Sequence, residues 1–246
     1  MNAHNMSFSI GLVGLPNVGK STLFHAITKK QVPMENYPFC TIDPHVGTVA
    51  VPDTMLYDLA RVAKSEKIIQ TTIEFTDIAG LVKGAHKGEG LGNQFLSHVR
   101  EVDAICQVVR VFENGKITHV HDRIDPLDDI NVINLELIMA DIETAEKRIS
   151  SLAKKIKGKA DKEEVLAHEV LTRALEHLRE EKLLNEMEVT DEEKKILKVS
   201  NLLTVKPFLY AFNVAEDMGG KPLPFNFDKP HVIVSASLES EMEGLS

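Results

Sequence analysis

Gly14-Leu15-Pro16-Asn17-Val18-Gly19-Lys20-Ser21 fits GxxxxGK[ST], the spacing that wraps a triphosphate, and the rest of the chain is read outward from it. Two glycines allow a turn tight enough for several backbone N–H groups to point inward at phosphate oxygens. Lys20 adds a point charge and Ser21 a hydroxyl for Mg²⁺. The candidate nucleotide contacts in this loop are Asn17, Val18, Gly19, Lys20, Ser21 and Thr22. Lys20 is also a candidate catalytic residue, because it balances charge on the phosphates during transfer. The flanks agree with the loop. Phe8-Ser9-Ile10-Gly11-Leu12-Val13 reads as a buried strand, and Ser21-Thr22-Leu23-Phe24-His25-Ala26-Ile27 as the helix that follows.

With 246 residues, 43% hydrophobic and 26% charged, the chain has the composition of an ordinary soluble globular protein of one large or two modest domains. A formal net charge of −9 excludes a protein that coats DNA or RNA over its whole surface and leaves room only for a local basic patch. Cys40 and Cys106 are the only cysteines, too few for a disulfide framework or a Cys-based zinc site, which suits a cytoplasmic protein. The apolar run Ile10 to Leu15 is short and broken by Gly11 and Gly14, so it is neither a signal peptide nor a membrane span.

After the P-loop helix, Gln31 to Pro44 holds Pro33, Pro38 and Pro44 and has neither helical nor strand period. A nucleotide switch needs a segment here that brings one hydroxyl to Mg²⁺, and Thr41 is the candidate. An edge strand over His45 to Val51, a short helix near Met55 to Val62 and a strand over Thr72 to Asp77 follow. That strand ends in Asp77-Ile78-Ala79-Gly80, a DxxG match whose position downstream of a P-loop gives it weight. Asp77 can hold Mg²⁺ through a water, and the Gly80 N–H can meet the γ-phosphate. The loop from Leu81 to Gly92 carries four glycines and is expected to move with nucleotide state. Many such hydrolases place a water-orienting Gln directly after DxxG; here Leu81 stands there, and it can neither donate nor accept a hydrogen bond.

A helix through Phe95, Leu96, Val99 and Arg100 leads to a buried strand, Ala104 to Arg110. From Ile130 the period changes. Leu135, Ile138, Ile142, Ala145, Ile149, Leu152 and Ile156 follow a 3-4-3-4 coiled-coil spacing, and Ala167, Leu171, Ala174 and Leu178 form a second helical face. Lys157-Gly158-Lys159 joins them, which predicts an antiparallel helical hairpin inserted at 129–199 into a nucleotide-binding domain formed by 7–128 and 200–246. Thr190-Asp191-Glu192-Glu193 reads as a capping box for a third helix. The hairpin tip is basic and the following arm acidic; the tip could meet RNA backbone, or the arms could pair their charges across the seam.

The α/β pattern then returns. Pro207 to Asn213 and His231 to Ser237 read as buried strands whose carboxyl ends lie beside the P-loop. Asn213, Val214 and Glu216, with Ser235 and Ala236, are the candidate base contacts. Guanine-binding relatives carry NKxD at this strand end, whereas this chain has Asn213-Val214-Ala215-Glu216. The paired acceptor for guanine N1–H and N2–H₂ is thereby displaced, while Asn213 can donate to adenine N7 and accept from N6. The reading favours ATP over GTP, with a Glu216 that reaches guanine as the alternative.

GLPNVGKST, PFCTIDP, DIAGLVKGAHKGEGLGNQFLSHVREVDAI, FENGKITHV, NVAED and VSAS together resemble the YchF/Obg-like ATPase family, in the translation-factor-related branch of P-loop NTPases. The resemblance runs from Ser7 to about Glu243. It implies a G-protein-like α/β fold with a mostly parallel sheet, helices on both faces and a coiled-coil insertion. It also implies an ATP-preferring, Mg²⁺-dependent hydrolase with a hydrophobic residue in place of the catalytic Gln, and association with the ribosome. The histidine that the family proposes for hydrolysis matches His119, with His86 in the second switch as a rival. Family members continue into a TGS domain, and this sequence stops at Ser246 without one.

Overall fold

The computed structural model describes residues 7–28, 45–78, 91–112, 125–158 and 161–242. Six strands form one sheet in the order β2-β3-β1-β4-β5-β6. These are β1 Phe8–Val13, β2 Val46–Ala50, β3 Thr72–Asp77, β4 Ala104–Arg110, β5 Phe208–Asn213 and β6 His231–Val234. β2 runs antiparallel to β3 and every other pairing is parallel. Parallel strands are covered on both faces and read as continuous apolar runs, which is why β4, buried along its whole length, sits at the centre.

The helices are α1 Lys20–Thr28, α2 Thr54–Ala63, α3 Leu91–Glu101, α4 Pro126–Ile156, α5 Lys162–Arg179, α6 Asp191–Val199 and α7 Ala236–Met242. α3 buries Phe95, Leu96 and Val99 on one stripe. Gly92 lies inside α3, not in the preceding loop. α2 starts on an Asp53 N-cap but buries none of its residues, so Met55, Tyr57, Leu59 and Val62 are exposed.

Between β4 and β5 the chain builds a helical insertion. α4 begins at Pro126 behind an Asp125 N-cap, earlier than the change of period at Ile130 suggests, because a Pro at the first turn has no N–H to leave unpaired. α5 starts on the Asp161 cap, and α6 on the predicted capping box of Thr190 and Glu193. Ion pairs Lys155–Glu164 near the connection and Glu146–Arg179 farther along show that α4 and α5 run antiparallel. These pairs also show the arms matching charges, the second of the two readings of the lopsided hairpin. Leu135, assigned by spacing to the seam, is instead exposed; Ile133, Leu137 and Ile138 are the buried apolar residues at that level. There α4 packs on β4, with Gln107 Nε2 donating to the Ile130 carbonyl at 3.3 Å, so its apolar face turns to the sheet before it turns to α5.

One buried polar joint ties the insertion to the sheet. Asp141 of α4 accepts from Leu203 N at 2.7 Å, Thr204 N at 2.8 Å and Thr204 Oγ1 at 2.7 Å. Burial pushes its carboxyl up to about 6 in spite of these donors. Next to it, Lys206 donates from Nζ to the Arg100 and Val102 carbonyls at the carboxyl end of α3, with burial holding its ammonium below the usual range.

Candidate functional site

The P-loop joins β1 to α1 at the carboxyl end of the parallel strands, where open α/β sheets bind ligands. Its backbone depends on two glycines. Gly19 has φ +88°, and a side chain there would collide with Asn213 Nδ2. A Cβ at Gly14 would lie 2.8 Å from the Val108 carbonyl oxygen of β4. Asn17 holds a left-handed φ of 64°, which Asn tolerates better than most residues. Leu23 N donates to the Gly19 carbonyl at 3.0 Å, so α1 starts within the loop and directs its amino end toward the phosphate position.

Asp77, the last residue of β3, meets this amino end. Lys20 Nζ pairs with Asp77 Oδ1, and Ser21 Oγ donates to Asp77 Oδ2 at 2.9 Å. Lys20 is buried, whereas Ser21 and Thr22 are exposed. A hydroxyl and a carboxylate converging at this distance are hard oxygen donors of the kind Mg²⁺ selects, so the residues present fit that ion. No group of three or more His, Cys, Asp or Glu side chains suited to a metal occurs among the described residues.

On the other side of the loop, Asn213 closes β5 and is buried. Its Nδ2 donates to the Val18 carbonyl at 2.9 Å, and its Oδ1 accepts from Ala236 N at 3.0 Å. One N–H and one lone pair of the amide thus serve the protein, so Asn213 braces the loop with half of its hydrogen-bonding capacity. The same bond explains why the last strand is shorter than its apolar pattern. β6 ends at Val234 because the Ala236 N–H goes to Asn213 and the Ser235 carbonyl to Glu239 N at 3.0 Å, which begins α7. Val214 and Ser235 are buried beside Asn213, and Glu216 is exposed at the start of a 3₁₀ turn, Glu216–Met218.

Thr41, Gly80, Leu81, His86 and His119 lie outside the described residues. Among the described candidates, the fold gathers Lys20, Ser21 and Asp77 at one point and Val18, Asn213 and Ala236 at another. Arg110 was not singled out by the sequence, although a cation closing an apolar strand is a readable signal. It is fully buried at the end of β4, in register with Asn213. Its Nε donates to the Phe112 carbonyl at 3.0 Å, and its guanidinium lies 4.5 Å from the Phe112 ring centroid.

Residues 9–141 match the family described as MMR_HSR1, 50S ribosome-binding GTPase. The chain is 55% identical over 217 residues to the ribosome-binding ATPase YchF of Bacillus subtilis, covering 88% of this chain and 59% of that protein. It is 50% identical over 212 residues to the protein of the same name from Escherichia coli O157:H7, covering 86% and 58%. The chain therefore spans under two thirds of the length of these relatives. The solved YchF GTPase of Schizosaccharomyces pombe superposes with a TM-score of 0.79 at 35% identity, covering 98% of this chain and 68% of that one. No described helix is long and apolar enough to cross a membrane.

Proposed function

From the premise that the chain belongs to the YchF family of P-loop NTPases, we propose that it is a Mg²⁺-dependent nucleotide hydrolase preferring ATP to GTP, acting in the cytoplasm as a slow switch on the ribosome. The observation that carries the hydrolase reading is the convergence of Lys20 and Ser21 on Asp77. Lys20 moves between Asp77 and the phosphates, neutralising charge that develops during transfer. The P-loop N–H groups and the Gly80 N–H orient the γ-phosphate for in-line attack by water. Ser21, Thr41 and Asp77 would hold Mg²⁺, which would supply charge neutralisation on the phosphate oxygens. Leu81 contributes no hydrogen bond to the attacking water, so basal turnover is slow. His119 is the group we assign to orient or deprotonate that water, with His86 as the rival.

The base preference rests on Val214 and Glu216 standing where guanine readers carry Lys and Asp. With Asn213 engaged as a brace, adenine is favoured chiefly by the missing guanine acceptor, which leaves the guanine N1–H and N2–H₂ without their paired partner. The second reading, a GTPase, is supported by the match to a family of 50S ribosome-binding GTPases and by the likeness to the S. pombe YchF GTPase.

Single-turnover hydrolysis of ATP with and without ribosomes tests the switch reading. Slow turnover that ribosomes accelerate, and that His119→Ala reduces, supports it. Fast turnover of the isolated protein that survives His119→Ala removes His119 from the mechanism. No acceleration by ribosomes points to a different partner.

A further inference from the structure

Helices α4, α5 and α6 enclose a groove of about 770 Å³ away from the nucleotide site. Its floor is apolar: Leu152 of α4, Leu166 and Leu171 of α5, and Ile196 and Val199 of α6. Val199, at the end of α6, is 75% exposed at the rim of this groove. Four cations, Arg148, Lys155, Lys162 and Lys195, line the groove against two carboxylates, Glu163 and Glu192. That balance runs against the sign of the whole chain, which carries −9. Arg148 turns its guanidinium to the Val199 carbonyl at 3.2 Å, and Lys155 pairs with Glu164. Lys162 and Lys195 make no ion pair among the described residues.

We propose that this groove docks an acidic amphipathic helix of a partner protein. Its apolar face would lie on Leu152, Leu166 and Ile196, and its carboxylates would reach Lys162 and Lys195. RNA fits less well. Base stacking needs aromatic rings or open guanidinium planes, the lining has no aromatic residue, and an aliphatic floor adds nothing to phosphate contacts. The proposal is independent of which nucleotide the P-loop takes.

The test uses fluorescence anisotropy with a labelled peptide of about 18 residues bearing Leu at i, i+3, i+4 and i+7 and Glu at most other positions. A scrambled peptide of the same composition and an oligouridylate serve as the other probes. Val199→Glu and Lys195→Glu alter exposed side chains, and unchanged circular dichroism and nucleotide binding show that each variant is folded. The patterned peptide is expected to bind at least about tenfold tighter than the scrambled one, and each variant to weaken it at least about fivefold. Equal binding of the two peptides, or patterned-peptide binding indifferent to Val199→Glu, overturns the proposal. Oligouridylate binding lost in Lys195→Glu but kept in Val199→Glu replaces it with an RNA surface. Self-association of the chain that Val199→Glu abolishes replaces it with a contact between copies.

Discussion

The side-chain amide of Asn213 spans from the Val18 carbonyl, 2.9 Å from Nδ2, to the Ala236 N–H, 3.0 Å from Oδ1. A residue at the carboxyl end of β5 thereby braces the P-loop. Asn213→Ala leaves the buried Val18 carbonyl unpaired, a loss of roughly 1–3 kcal/mol. The expected outcome in nucleotide titrations is a loss of about tenfold or more for ATP and GTP alike. A loss confined to ATP would instead return Asn213 to the role of base reader.

Gly19→Ala meets two obstacles at once, a left-handed φ of +88° and the amide of Asn213. Nucleotide binding should fall at least about a hundredfold and the melting temperature should drop, since the native loop must carry the strain. Pairing it with Asn213→Ala should recover part of the loss by removing the clash, and a double-mutant cycle measures that coupling.

Asp77→Asn keeps the shape of the side chain and removes the charge that gathers Lys20 and Ser21. Turnover should fall roughly a hundredfold, about 2.7 kcal/mol in the barrier, with half-saturating Mg²⁺ shifted upward. Nucleotide binding measured in chelator should be retained. Unchanged Mg²⁺ dependence would remove Asp77 from the metal site.

Asp141 gives a pH prediction. Its folded carboxyl titrates at about 6, above its ordinary value of 3.8, so the folded state holds a proton that the unfolded state releases first. Its contribution to stability is therefore greatest below about pH 4, is lost as pH rises through about 6, and is flat above that; two units correspond to about 3 kcal/mol. Urea unfolding of the wild type and Asp141→Asn across this range should show the difference between them moving in that direction. A constant difference would mean that Asp141 is not titrating there.

The elements that position the site were legible because each has a local signature. The P-loop spacing, the strand from Thr72 to Asp77, the strand from Ala104 to Arg110 and the Thr190 capping box appear where period and cap chemistry put them. Long-range hydrogen bonds were not legible. Nothing near Asn213 in sequence says that its Nδ2 braces Val18, which adds loop support to its reading, or that its Oδ1 takes the Ala236 N–H and stops β6 short. Leu135 fits a heptad, yet the helix turns that level toward the sheet, since a 3-4 spacing cannot distinguish a seam with α5 from a stripe facing β4. Asp141 has no local signature, because its three donors come from Leu203 and Thr204, some sixty residues away.

The most direct measurement of the central claim is the affinity of the chain for ATP and for GTP, each titrated with Mg²⁺. Val214 and Glu216 in place of the guanine-reading Lys and Asp predict tighter ATP binding by at least about tenfold. GTP bound more tightly than ATP would contradict the account.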